Sequence, residues 1–163
     1  TPGVYGVAVW LQKPSRRTLA LRGKPSCFLS LPHVVFGASY YHAPNGVYLY
    51  SLRCGFCDTG RIDSDTEIYH TIFPNTEGFA VCLGSADNPA HSNSEQMIKH
   101  CVSVFWQTAF DQSEMPYPWS KHLTAIEWRD RTLVDPHWSP SRGDFKHMTS
   151  TSFSQFLTIV KWC

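Results

Sequence analysis

The sequence predicts a single α+β domain spanning residues 1–163, an antiparallel β-meander with helices packed on one face. Runs of β-branched and aromatic residues fill the first half of the chain, and clear helical periodicity follows only after them. Strand and helix patterns do not alternate, which argues against a parallel sheet. A chain of 163 residues with 42% hydrophobic residues also has the usual size and composition of one domain.

The predicted outer strands are short and bounded by turn-forming residues. Residues 7–11 and 18–22 are expected to form an edge hairpin, interrupted by Lys13-Pro14-Ser15. Later in the chain, a polar loop at 58–65 leads to a further predicted strand at 67–72.

Two antiparallel core strands are predicted at 33–39 and 47–53. The segment between them contains Pro44-Asn45-Gly46, a strong turn signal. Since side chains alternate between the faces of a strand, the tyrosines of the second strand should lie on its outer face. Its core-facing side chains are expected to be Val47, Leu49 and Leu52.

Helical periodicity is clearest at about 93–109, where a capping box, Ser92-Asn93-Ser94-Glu95, precedes the apolar residues. Their spacing of three and four residues is typical of one buried helix face. These residues are Met97, Ile98, Cys101, Val102, Phe105, Trp106 and Ala109. A second, short helix is predicted at 152–161, with its own apolar face. That face consists of Phe153, Phe156, Leu157 and Val160.

Charge and hydropathy narrow the possible functions. A formal net charge of +1 gives no electrostatic reason to bind nucleic acid or an anionic membrane. The apolar runs are far shorter than the roughly 20 residues that a membrane-spanning helix needs. Six cysteines, two of them in apolar runs and one at the last position, favour a reduced, cytoplasmic protein over a disulfide framework.

The segment most informative about chemistry runs from His70 to Gly84. It predicts a strand that ends at a Pro74-Asn75 turn, followed by a short apolar run that delivers Cys82 to a loop. A nucleophilic thiol needs a donor aimed at the oxyanion formed when a thioester is attacked, and Asn75 can supply it. Each of these residues also has a purely structural alternative. Cys82 could be a buried core cysteine, and Asn75 could only form the turn. His70 could orient a group near Cys82, or it could be a half-buried strand histidine bonded to backbone.

This segment resembles the active-site signature of ubiquitin-conjugating (E2) enzymes, in which His-Pro-Asn precedes a Gly and an Ile/Val-Cys-Leu run. The matching residues are Pro74, Asn75, Gly78, Val81, Cys82 and Leu83. The resemblance implies an E2-like fold, a thioester carried on Cys82 and support of aminolysis by Asn75. Phe73 stands where the family has His, and the spacing from Asn75 to Cys82 is about one residue short.

The chain is more closely similar to prokaryotic E2 family D, over about residues 65–110. The similar segments are Asp65-Thr66-Glu67-Ile68-Tyr69, Asn75, Val81-Cys82-Leu83-Gly84-Ser85, and the aromatic end of the helix at 104–110. In gene clusters of the PRTRC type, the family's neighbours are a ThiF/E1-like activating enzyme, a ubiquitin-like protein and a JAB-type protease. The resemblance therefore implies these partners and no cofactor.

Cys54-Gly55-Phe56-Cys57 offers a competing chemistry, because a CxxC can hold half of a zinc site or a redox pair. Zinc would need further ligands from His42, His70 or Cys27. Three hypotheses thus remain: an E2-like thioester carrier, a catalytically silent E2-like module that binds a ubiquitin-like protein, and a zinc-stabilised adaptor. The first hypothesis expects Cys82 on an accessible loop, and Cys54 and Cys57 as a reduced or weakly coupled pair near the surface.

Overall fold

The computed structural model describes nine strands and four helices within residues 6–21, 24–71, 73, 75–84, 86–108, 125–135, 137–145 and 148–161. The strands are β1 (Gly6–Gln12), β2 (Ser15–Leu21), β3 (Lys24–Leu31), β4 (His33–Ala43), β5 (Gly46–Cys57), β6 (Glu67–Tyr69), β7 (Thr76–Glu77), β8 (Ala80–Val81) and β9 (Ser150–Ser152). The helices are α1 (Ser94–Gln107), α2 (Ala125–Val134), α3 (Arg142–Phe145) and α4 (Phe153–Lys161). This combination of strands and helices confirms the predicted α+β class.

The main sheet is antiparallel and has the strand order β1-β4-β5-β6-β9, with the β7–β8 hairpin joined to β5 through β8. The edge hairpin predicted from 7–11 and 18–22 is wrong. Strand β1 pairs with β4, whereas β2 pairs in a separate sheet with β3, a strand that the sequence pattern did not reveal. The reason is that β1 carries apolar residues on both faces and so fits beside the apolar β4, with Trp10 opposite Phe36.

The two predicted core strands are confirmed as β4 and β5, joined by a two-residue turn between Ala43 and Gly46. A β-bulge shifts their register, so that Tyr40 pairs with Leu49 while Ser39 pairs with Ser51. The extra residue, Tyr50, shifts the alternation of side chains by one position, so residue 52 faces the same side of the sheet as residues 47 and 49. Val47, Leu49 and Leu52 therefore all lie on one core face, as predicted.

Helices pack on both faces of the sheet, so the prediction of helices on one face is wrong. Helix α1 covers the face of Val34 and Phe36, whereas α4 covers the face of Val35. A continuous apolar run such as 34–36 is typical of a strand buried on both sides. At Gly37 a Cβ would lie 2.6 Å from Val160 Cγ2, so the missing side chain lets α4 approach the sheet closely.

Both predicted helices are present, and the observed α1 lies within the predicted range of 93–109, whose last residue is outside the described residues. Asn93 caps α1 by accepting a hydrogen bond from the Gln96 N–H at 2.9 Å. Helix α2 was not predicted. It packs on β3, where the Trp128 indole donates to the Ser30 carbonyl at 2.6 Å. None of the helices in the described ranges combines the length and the hydropathy that a membrane crossing requires.

Candidate active site around Cys82

A small hairpin brings Cys82 to the surface beside β5. Thr76 pairs with Val81 and Glu77 with Ala80, which leaves Gly78 and Phe79 as the two-residue loop. Gly78 has a φ of 59°, a conformation that glycine adopts without steric cost. The Cys54 N–H donates to the Phe79 carbonyl at 2.8 Å, so the loop of the hairpin is fixed on β5.

Asn75 and Cys82 form the next cross-strand pair beyond this hairpin. The Cys82 N–H donates to the Asn75 carbonyl at 2.9 Å, and Asn75 Nδ2 donates back to the Cys82 carbonyl at 3.1 Å. The side-chain amide thus takes the place that a backbone N–H would have in the ladder. The structure thus brings the two predicted residues together. The side-chain amide of Asn75 bonds to the backbone carbonyl of Cys82 and not to its thiol.

Cys82 itself is a free, exposed cysteine on the loop between β8 and α1, where the thioester hypothesis requires it. Leu83 anchors the loop by packing against the core. Gly84 has a φ of 62°, and a Cβ there would meet no atom of the described residues within 4 Å. Pro74 and Ser85, two further residues of the resemblance, lie outside the described residues.

The chain after Cys82 runs along the edge of β5. Asn88, which no sequence pattern singled out, accepts from the Leu49 N–H at 3.1 Å and donates to the Leu49 carbonyl at 2.8 Å. Two backbone hydrogen bonds between His91 and Val47 then close the ladder. A cavity of about 140 Å³ separates this segment from α1. Its lining includes Leu49, Leu83, Asn88, His91, Cys101 and Val104.

Phe73, at the position of the signature histidine, is fully buried. Its ring makes edge contacts with Phe56, Phe105 and Trp106, with centroids 5.3–5.4 Å apart. A side chain directed into this aromatic cluster packs the core and does not reach an exposed thiol. The phenylalanine therefore serves the fold, and its lack of an imidazole removes no titratable group from the surface around Cys82.

His70 is half-buried, and its backbone N–H donates to the Thr149 carbonyl at 2.9 Å. The ring packs edge-on against Phe79, with centroids 4.4 Å apart. Burial lowers the pKa of the imidazole from its ordinary value, which favours the neutral form. The half-buried ring fits the structural alternative for His70, but the bond to backbone is made by its own N–H and not by the imidazole.

The cysteines of the CxxC motif are both fully buried, so the expectation that they lie near the surface is wrong. They also point to opposite faces of β5, since residues three apart on a strand cannot share a face. Cys54 belongs to the core under α1 and Cys57 to the core under α4. Burial raises the pKa of Cys54 to about 12 and that of Cys57 to about 11. Two thiols on opposite faces cannot bind one zinc ion or form a disulfide with each other.

The family follows from a match that extends well beyond this site. Residues 5–131 match the model of prokaryotic E2 family D. The chain belongs to this family. Membership in prokaryotic E2 family D confirms the resemblance drawn from the motif. It gives the protein an E2-like role in general. The general kinds of partner for such a role are a ubiquitin-like protein and an activating enzyme. Comparisons with curated proteins and with solved structures give no match.

Proposed function

We propose that the protein is an E2-like conjugating protein that carries a ubiquitin-like protein as a thioester on Cys82 and transfers it to an amine acceptor. The observation that carries the proposal is the exposed Cys82 thiol at the end of a hairpin whose backbone is fixed by Asn75 in two hydrogen bonds. Membership in an E2 family supports it further. A ThiF/E1-like activating enzyme would supply the ubiquitin-like protein, and a JAB-type protease would act in the same system, as in PRTRC-type clusters. We place this chemistry in the cytoplasm.

The chemistry consists of two acyl transfers. In the first, the Cys82 thiolate attacks the thioester carbonyl on the activating enzyme, the new C–S bond forms, and the enzyme's thiolate leaves and takes up a proton. In the second, an amine attacks the carbonyl, loses a proton, and expels Cys82 as a thiolate. Cysteine suits both steps because a thiolate is a good nucleophile and a good leaving group.

Asn75 contributes through its side-chain amide, which has two N–H donors. One of them holds the Cys82 carbonyl at 3.1 Å. The other is the donor that we assign to the oxyanion formed when the amine attacks. The same group thus orients the reacting residue and stabilises the charge that develops beside it.

The silent-module hypothesis depended on Phe73 in place of histidine. Because Phe73 is a core residue, its identity does not argue against catalysis. The adaptor hypothesis depended on zinc at Cys54 and Cys57, which the opposite directions of the two thiols do not support.

The decisive experiment mixes the protein with its cognate activating enzyme, ubiquitin-like protein and ATP, and separates the products on a non-reducing gel. We expect an adduct that thiol reductant cleaves. Cys82→Ala should abolish it, and Cys82→Ser should give a reductant-resistant ester, because an oxyester is a poorer acyl donor than a thioester. Cys101→Ala is the matched control, since Cys101 is a buried thiol on α1. An adduct that still forms on Cys82→Ala would show that Cys82 is not the carrier.

A further inference from the structure

A row of buried polar groups connects Cys54 with the turn that precedes Cys82. Cys54 Sγ lies 3.9 Å from Thr71 Oγ1, a weak contact, and Thr71 Oγ1 lies 2.8 Å from Thr76 Oγ1. Thr76 Oγ1 donates to the Phe73 carbonyl at 2.6 Å. Cys54 and Thr71 are fully buried and Thr76 is 5% exposed, so these groups rely on one another for hydrogen-bond partners.

The direction of this chain follows from the single hydrogen on each group. Thr76 uses its hydrogen for the Phe73 carbonyl, so Thr71 must be the donor in the bond between the two hydroxyls. The Cys54 thiol is then the donor to Thr71. Burial raises the pKa of Cys54 to about 12, which keeps the S–H proton in place at neutral pH.

The end of the chain determines the shape of the turn that carries Asn75. The Phe73 carbonyl accepts from both the N–H and the hydroxyl of Thr76, at 3.1 and 2.6 Å, which closes the turn from 73 to 76. Asn75 lies within this turn and holds both backbone groups of Cys82. Thr76 also pairs directly with Val81, the residue before Cys82.

We propose that Cys54, Thr71 and Thr76 are positioning residues for the reaction at the Cys82 thiol. None of them contacts the reacting atoms in this arrangement. They act through Asn75, whose two bonds to Cys82 require the turn to keep its shape. The consequence for catalysis rests on the proposed function, whereas the positioning of the Cys82 backbone is a property of the fold that can be measured without any partner.

Amide hydrogen exchange followed by NMR tests the positioning directly at the Cys82 N–H. Thr76→Val keeps the shape of the side chain and removes the hydroxyl, whereas Thr76→Ser keeps the hydroxyl. We expect exchange at Cys82 to become about tenfold faster in Thr76→Val and to stay within about threefold of the wild-type rate in Thr76→Ser. Thr132→Val is the control, because Thr132 is fully buried on α2 and its hydroxyl accepts from the Ser30 N–H at 3.1 Å.

Two variants of Cys54 test the far end of the chain. Cys54→Ser keeps a donor, but its C–O bond is shorter than the C–S bond and leaves the hydroxyl too far from Thr71 for a good hydrogen bond, so the protection of the Cys82 amide should lie between that of the wild type and that of Cys54→Ala. Cys54→Ala removes the donor and should weaken that protection, by less than Thr76→Val does because the contact of 3.9 Å is long.

Discharge of the preloaded thioester to an amine supplies the readout that a purely structural role would not change. In Thr76→Val we expect kcat for discharge to fall about tenfold, with KM for the amine unchanged, because the altered group touches the Cys82 turn and not the acceptor. Wild-type exchange at Cys82 in Thr76→Val, or equal acceleration in Thr132→Val, would overturn the inference. Failure of the proposed function would look different: the wild-type protein would form no Cys82-dependent adduct, while the exchange results would still decide the positioning.

Discussion

Cys82 and Cys54 are joined through the β7–β8 hairpin, but their surroundings give the same side chain opposite properties. The Cys54 N–H bonds to the hairpin loop at Phe79, and Cys82 follows the hairpin's second strand. Cys54 is fully buried in a central strand, whereas Cys82 is exposed on the loop after β8. The comparison shows that an apolar context such as Val-Cys-Leu does not by itself bury a cysteine. Val81 and Leu83 both pack against the core, so the alternation of side chains directs Cys82 outward.

The largest expected effect is the difference in thiol reactivity between these two regions. Burial raises the pKa of Cys54 to about 12 and the pKa values of Cys57 and Cys101 to about 11. A raised pKa means that each thiol stays protonated at neutral pH, and burial also blocks the reagent. With iodoacetamide at about pH 7.5, we expect Cys82 to react at least about a thousandfold faster than these three.

Peptide mapping by mass spectrometry after timed alkylation measures this ratio residue by residue. Unfolding the protein in guanidinium is the control, because all four thiols should then react at similar rates. Fast alkylation of Cys54 in the folded protein would show that the buried region opens readily, and the contrast with Cys82 would not hold.

The next effect concerns Phe73, which links the two regions through the aromatic cluster. Phe73→Ala should lower the free energy of unfolding by about 4 kcal/mol, because it leaves a cavity in a fully buried site. Phe73→His introduces the histidine of the E2 signature, but it should cost about 2 kcal/mol by burying a polar ring in an aromatic cluster. We also expect it to bring no gain in thioester formation. Chemical denaturation and the adduct assay measure the two results.

Phe28→His is the matched control for this variant, since Phe28 is 38% exposed and should tolerate the change with a loss below about 1 kcal/mol. If Phe73→His were instead as stable as the wild type and conjugated faster, position 73 would be part of the reaction site, and our assignment of it to the core would be wrong.

Asn75→Ala separates the chemical role of the amide from its role in stability. The variant loses the bond from Nδ2 to the Cys82 carbonyl, but it also removes Oδ1, which is buried and has no hydrogen-bond partner among the described residues. These two effects oppose each other, so the free energy of unfolding should change by less than about 1 kcal/mol. Discharge of the thioester to amines should nevertheless slow, by up to about a hundredfold if the second N–H serves the oxyanion.

Single-turnover discharge of the preloaded thioester to free lysine measures this effect, and loading should change less than discharge. Asn75→Asp is the informative companion, because it places a carboxylate oxygen against the Cys82 carbonyl and should impair discharge at least as strongly. Wild-type discharge in both variants would remove Asn75 from the mechanism.

The sequence predicted the fold where a local pattern determines the structure. Periodicity located α1 and α4, and the Pro44-Asn45-Gly46 signal located the turn between β4 and β5. Strand partners depend on contacts between distant segments, and this is why β1 was wrongly paired with β2. The burial of Cys57 could not be foreseen either, because β5 runs to residue 57 and its far face is covered by α4, which begins 96 residues later at Phe153.

The candidate site likewise has residues that a local sequence pattern predicted and residues that only the folded structure reveals. Cys82 and Asn75 were found from a short motif, and their hydrogen bonds bring them together, although their catalytic roles stay predictions. Thr71 and Thr76 had no sequence signal, because their importance comes from a hydrogen-bond chain that exists only once β5 and the 73–76 turn are in place. Asn88 is similar, since only the folded structure shows which strand edge its amide meets.

The smallest effect is expected for Asn88→Ala, which loosens the exposed region alone. The Asn88 side chain satisfies both backbone groups of Leu49, but these bonds are exposed, so water can replace them. The loss in unfolding free energy should therefore be only about 0.5–1 kcal/mol. Exchange of the Leu49 amide should accelerate severalfold, whereas exchange of the Cys54 amide, which bonds to Phe79, should keep its wild-type rate. In the companion variant Asn88→Asp, a carboxylate still accepts from the Leu49 N–H but sets its second oxygen against the Leu49 carbonyl, so exchange of the Leu49 amide should again be faster than in the wild type. If Leu49 and Cys54 accelerate together in Asn88→Ala, the edge segment and the buried end of β5 open as one unit, and the separation between the two cysteine environments does not extend to their dynamics.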